Sequence, residues 1–174
     1  MLENKDLIKS FYATYSVGLI TIFLVSSIFI YTPFILSLLQ ISKQQFSYAP
    51  TFFGIFVVIS NLLSSRFLIP KIGTTNCLII SRLIIAFIPL SVFYFENYFF
   101  LLLSFSLLGV GMGIQAPSAL TQITIIEKKT NKILMPIFKT SWAIGAMIAA
   151  IVSSISLWLN IDPVHHFFIL GIVA

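Results

Sequence analysis

The sequence predicts an all-α fold: a polytopic membrane bundle of five full transmembrane helices and the start of a sixth, in one domain over residues 1–174. Two observations carry that prediction. First, 59% of the residues are hydrophobic, only 9% are charged and the mean hydropathy is +1.07, more apolar surface than a soluble core of 174 residues can hide, so lipid must cover the surplus. Second, Lys and Arg fall almost only in every second gap between apolar stretches, the pattern of a chain that crosses a bilayer repeatedly. Backbone groups in hydrocarbon must be satisfied internally, and the alternating pattern of a membrane barrel is absent, so the spans are helices.

A spanning helix needs about 20 mainly apolar residues. The first such stretch, 12–39, follows a tail holding Lys5 and Lys9; it is longer than a signal-peptide core, and Glu3 and Asp6 dilute the basic character in front of it, so it is expected to remain as a helix. The second, 47–69, ends in a connection with Arg66 and Lys71. The third, 75–95, opens with Cys77, the only cysteine, which excludes an intramolecular disulfide and a multi-cysteine metal site. The fourth, 98–125, contains Gly109, Gly111 and Gly113, which allow a neighbouring helix to approach closely. A connection with Lys128, Lys129 and Lys132 leads to the fifth, 134–159, and a sixth begins near His165 and reaches Ala174. His165 and His166 diverge by about 100° on a helix, which keeps them from sharing a metal; both are expected to face solvent at the membrane boundary.

The basic residues of the tail and of the 2–3 and 4–5 connections lie on one side, whereas the other holds Lys43 with Glu96 and Asp162. The positive-inside rule therefore predicts a multi-pass protein of the cytoplasmic (inner) membrane with a cytoplasmic N-terminus. The net charge of +5 is this bias in total; spread over connections, it gives no nucleic-acid surface. Arg82 and Lys139 sit somewhat inside helices, where long basic stems snorkel to the interface; Arg82 is expected against the 2–3 connection, and Lys139 has a cavity role as its alternative.

Ile30-Tyr31-Thr32-Pro33, followed by Leu36 and Ser37, matches Ile114-Gln115-Ala116-Pro117, followed by Leu120 and Thr121, at one constant offset. This predicts two three-helix units, about 10–96 and 98–174, the second incomplete and inverted relative to the first because each has an odd number of spans. Inverted repeats are common in secondary transporters, with the substrate site at the repeat interface. Pro33 and Pro117 each remove a backbone hydrogen bond and are expected to kink their helices, leaving a carbonyl for a neighbouring helix or cavity water to satisfy.

Polar groups inside spans are costly unless they face a cavity or a partner. Gln115, Ser118 and Gln122 recur at helical spacing and form one stripe, and Tyr31, Asn61 and Trp142 are candidates for the same space. Amides, a hydroxyl and aromatic rings suit a sugar-like or polyol solute. The competing reading is interhelical hydrogen bonding.

Leu108-Gly109-Val110-Gly111-Met112-Gly113-Ile114-Gln115, Ile126-Glu127-Lys128 and the run from Leu134-Met135-Pro136 through Trp142 to Gly145 resemble the major facilitator superfamily, in its sugar-permease-like branch that includes fucose permeases. Pro33 with Ile41-Ser42 and Phe53-Gly54 is similar to the first periplasmic turn of that branch. The resemblance implies the N-terminal half of a twelve-helix permease, cut within its sixth helix. It also implies a cytoplasmic gating loop between helices 2 and 3, to which Arg66, Lys71 and Gly73 correspond. Pro70 stands where the family carries an acid, and Thr74, Thr75 and Asn76 follow where it carries further basic residues, so the family's charge network is not reproduced. Ala116 stands near where proton-coupled relatives place an acid, and no Asp or Glu lies deep in any span, which leaves coupling to another half or to none.

No nucleophile elbow, phosphate loop or metal-ligand cluster occurs, so neither an enzyme nor a cofactor is expected. The readings left are transport of a small solute by alternating access, as the partial N-terminal half of a permease, and a non-transporting remnant or membrane interaction subunit. Either is compatible with a complementary six-helix half as partner.

Overall fold

The computed structural model describes residues 4–173; Glu3 and Ala174 lie outside the described residues. Helix α1 (Asn4–Ile30) is followed by α2 (Thr32–Leu39) with only Tyr31 between them. Pro33 lies in the first turn of α2, where a missing N–H costs least. The ladder continues across the junction, Tyr31 N donating to Ser27 O at 3.3 Å and Ile35 N to Tyr31 O at 2.9 Å, so the chain bends without unravelling. The Phe29 carbonyl that Pro33 cannot reach accepts from the Thr32 hydroxyl at 2.6 Å.

Gln40, in the left-handed region at φ 50°, ends α2. Ser42 then opens α3 (Lys43–Leu63) with a capping box: its hydroxyl accepts from Gln45 N at 3.1 Å, and Gln45 Oε1 accepts from Ser42 N at 2.8 Å. A π-helical turn, Ser64–Leu68, connects α3 to α4 (Ile69–Phe95) and falls directly before Pro70, which cannot donate to a regular ladder. At Gly73 the backbone takes φ 81° and ψ 163°, a region open essentially to glycine alone, and the helical path breaks. Helices α5 (Tyr98–Thr130), α6 (Met135–Trp158) and α7 (Pro163–Val173) complete the bundle.

Every described element is helical, and four stretches are long and apolar enough to cross a membrane: Lys5–Ile30, Lys43–Phe95, Tyr98–Thr130 and Met135–Trp158. Pro163–Ile172 is apolar but shorter. The chain is thus an all-helical, multi-pass membrane protein. Its helices outrun the apolar stretches read from sequence: α1 begins at Asn4 instead of near residue 12, and α5 runs on to Thr130.

Both α3 and α4 pack along α5, α1 packs along α6, and α7 lies against α4. Glycines set two of these approaches. A Cβ on Gly113 of α5 would come within 2.6 Å of Val57 O on α3, and one on Gly145 of α6 would collide with Leu19 O of α1. Backbone therefore meets backbone at both crossings. Tyr31, Phe105, Phe138 and Phe167 are fully buried between the helices, while Val58, Leu62, Leu83, Phe87, Ile151 and Ile155 present apolar side chains outward, where a bilayer would cover them.

Candidate functional site

The polar stripe of α5 turns toward α1. Gln115 is buried, its Nε2 donating to Thr21 Oγ1 and lying 3.4 Å from Val17 O, while its Oε1 is buried without a hydrogen bond. Two turns further along, Gln122 Nε2 donates to Ser10 Oγ at 3.0 Å and Gln122 Oε1 accepts from Thr74 Oγ1 at 2.7 Å. Arg82 joins them from α4, its Nη1 donating to Val17 O at 3.2 Å. It therefore reaches α1 from its place on α4.

The receiving face of α1 consists of Ser10, Thr14, Val17 and Thr21, whose spacing of four, three and four residues puts them on one side of a helix. That spacing is visible in the sequence and matches the stripe on α5; sequence reasoning missed it because single hydroxyls in an apolar run carry little hydropathy signal.

Two spaces adjoin these contacts. A recess of about 310 Å³ is lined by Ser10, Thr14, Val17, Thr75, Arg82 and Gln122 among others. Between Thr21, Gln115, Ala116 and Trp142 lies a small void of about 10 Å³, room for one water at most. Trp142 thus borders Gln115, and Lys139 Nζ sits 4.0 Å from the centre of its indole, a cation–π contact.

The remaining candidates do not line either space. The Ser118 hydroxyl is buried and donates back to Ile114 O of its own helix at 2.7 Å. Asn61 is half-buried on α3 and lines neither space. Tyr31 is fully buried in an aromatic cluster with Phe34, Phe93, His166 and Phe167, its hydroxyl beside Ser156 without a well-formed hydrogen bond.

The two prolines behave differently. Pro33 marks the bend between α1 and α2, whereas α5 runs through Pro117 without interruption. The carbonyl Pro117 leaves open is that of Gly113, and the Ser64 hydroxyl from the π-helical turn lies 3.0 Å from it and 3.2 Å from Asn61 O. A neighbouring helix supplies the missing donor.

In the 2–3 connection Arg66 and Lys71 are exposed, and the Arg66 guanidinium lies 5.4 Å from the Phe67 ring centre. Gly73 provides the break there. The 4–5 connection is tighter: Glu127 Oε1 accepts from Leu134 N at 2.6 Å and from Met135 N at 2.7 Å, capping α6 with a carboxylate where the helix end favours negative charge.

At the other end, His165 is exposed and lies 3.2 Å from Asp162, as a solvent-facing residue would. His166 departs from expectation: it is buried, with Nδ1 2.9 Å from Ser156 Oγ. The divergence that separates the two imidazoles also turns one of them into the bundle. Among the described residues no three His, Cys, Asp or Glu side chains are grouped to hold a metal.

Chemically, the α1–α4–α5 contact offers amide, hydroxyl and guanidinium donors beside a small recess, a set suited to hydrogen-bonding a polar solute. A scan against protein-family models, a search of the curated proteins and a search of the solved structures each found no match to this chain.

Proposed function

We propose that this chain is the N-terminal half of a solute transporter of the major facilitator type, acting by alternating access with a second half of similar design. The observation that carries the reading is the pattern of helix neighbours. Exchanging the two units swaps α1 with α5, α3 with α6 and α4 with α7. The α1–α6 pairing then becomes α5–α3, and both occur; α1–α5 and α4–α7 map onto themselves, and both occur. The exchange is partial: the close α4–α5 packing has no comparable α1–α7 counterpart, only Tyr31, between α1 and α2, meeting the Phe167 ring at 5.3 Å, and α1–α4 and α5–α6 have no packed counterparts. The pairs that do exchange support an inverted repeat, the architecture that places a substrate site between repeats.

In this reading Lys43–Phe95 is two spans, since its 53 residues as one straight helix would extend about 80 Å, against a hydrocarbon thickness of about 30 Å. The turn at Gly73 is the cytoplasmic connection, which gives five spans with α7 opening a sixth. The void of about 10 Å³ at Gln115 is too small for a solute, and the recess of about 310 Å³ lined by Ser10, Thr14, Val17, Arg82 and Gln122 is the larger space at this contact. The amides and hydroxyls of the α1–α4–α5 contact suit a sugar-like or polyol solute.

The test is uptake of a labelled sugar and polyol panel by proteoliposomes holding this chain with its second half. Gln115→Ala and Gln122→Ala should each lower uptake several-fold; unchanged uptake in both removes the proposed site. One observation favours a second reading, a membrane interaction subunit that transports nothing: Gln115 and Gln122 spend their amides on α1 and Thr74. On that reading no panel member is taken up, and the same substitutions lower only the melting temperature.

A further inference from the structure

Around the α5–α6 corner two recesses meet. One, of about 720 Å³, is lined by Lys128, Lys132 and Lys139 together with Glu127, Met135 and Pro136. The other, of about 710 Å³, is an apolar groove between the start of α1, the end of α5 and the start of α6, walled by side chains such as Ile8, Phe11, Tyr12, Ile126 and Ile137. Lys132 lines both, so the cationic recess and the apolar groove share a wall.

The charge of the first recess is lopsided. Its one acid, Glu127, is engaged with the backbone N–H groups of Leu134 and Met135, while the lysine side chains are exposed, that of Lys139 with its Nζ over the Trp142 ring. An occupant of the pair of recesses needs an anionic head for the lysines and a hydrocarbon tail for the groove. Tyr12 and Tyr15 at the groove fit the level where amphipathic rings mark the boundary of the hydrocarbon. Basic pockets flanking spanning helices bind anionic head groups in this way.

We infer that the α5–α6 corner is a binding site for an anionic phospholipid, its phosphate held by Lys128, Lys132 and Lys139 and one acyl chain lying in the groove along Ile8, Phe11 and Ile137. This inference does not depend on transport. It tells the chain which leaflet to face and gives the lysines of the 4–5 connection a ligand beyond the general inside-positive bias.

The test uses the full chain in neutral detergent, with native mass spectrometry reading retained lipid. Phosphatidylglycerol should be retained about tenfold more strongly than phosphatidylcholine. The triple variant Lys128→Gln/Lys132→Gln/Lys139→Gln should bring the two lipids to within about twofold, whereas Lys129→Gln, next in sequence but outside the recess, should keep the preference. Glycerol 3-phosphate, which leaves the groove empty, should compete only weakly. Equal retention of the two lipids by the unmodified chain overturns the proposal, as does a preference that survives in the triple variant. Competition by glycerol 3-phosphate as strong as that of the lipid assigns the recess to a soluble anion and overturns it too, and so does a chain dimer that excludes the lipid.

Discussion

The bond from Ser64 to Gly113 exists because of Pro117, and a double-mutant cycle can show it. Pro117 has no N–H, so Gly113 O loses its intrahelical donor, and the Ser64 hydroxyl lies 3.0 Å away. Ser64 is 2% exposed, so Ser64→Ala leaves a carbonyl that water does not reach. An unsatisfied buried polar group costs about 1–3 kcal/mol, while interhelical bonds in membranes average about 0.6 and reach about 1.7 kcal/mol. Taken together these give about 1–2 kcal/mol for Ser64→Ala. Pro117→Ala restores an N–H aimed at Gly113 O, and in that background Ser64→Ala should cost no more than about 0.5 kcal/mol, a coupling of about 1 kcal/mol. Reversible unfolding in mixed micelles, followed by circular dichroism, measures all four corners. A cost for Ser64→Ala that is the same in both backgrounds refutes the reasoning, because the hydroxyl would then serve something other than the proline's orphan.

Three further perturbations follow from the packing, each read by the same unfolding titration. Gly113→Ala places a Cβ 2.6 Å from Val57 O and 2.7 Å from Ser60 Cβ, so α3 must back away, at a cost of about 1–3 kcal/mol; an unchanged midpoint would deny the close crossing. Gly73→Ala forces a side chain onto φ 81°, ψ 163°, costing about 1–3 kcal/mol; a neutral result would mean that the turn takes another shape. Glu127→Ala removes the acceptor of two N–H groups of α6 and should cost about 1–2 kcal/mol. Glu127→Gln, which keeps an acceptor but no charge, should recover part of that loss; no difference between the two would leave the charge without a role.

The helices themselves could be read from hydropathy, and their local punctuation from residue type: Pro33 at a bend, Gly73 at a break, Ser42 and Gln45 at a start. What could not be read is who answers whom across the bundle. Pro117 announced an orphan carbonyl, but its donor, Ser64, is 49 residues from Gly113 in the chain, and no local pattern links them. Arg82 was legible as a charge within reach of an interface, but its bond to the Val17 carbonyl of α1 has no side-chain signature. His166 was read as solvent-facing because its neighbour is; its burial follows from Ser156 and the Tyr31 ring, which only the tertiary arrangement brings there. For the candidate site, the stripe of Gln115, Ser118 and Gln122 was legible from its spacing, and its two amides face another helix while the Ser118 hydroxyl bonds its own backbone; Tyr31 and Asn61 were grouped with it by residue type and lie elsewhere.

The glycine crossings have a mechanical meaning. Where Gly113 and Gly145 bring main chain onto main chain, no side chain lies between that could reorient, so α5 with α3 and α6 with α1 behave as stiff laminated beams. Between the beams the joints are of another kind, made by side chains: Gln115, Gln122 and Arg82 hook onto α1, and Leu24, Ile28 and Phe29 of α1 pack with Phe105 of α5. Hooks of that sort can trade partners with water one at a time, whereas a lamination can only hold or peel. The void beside Trp142 lies at this joint, lined by α1, α5 and α6 together.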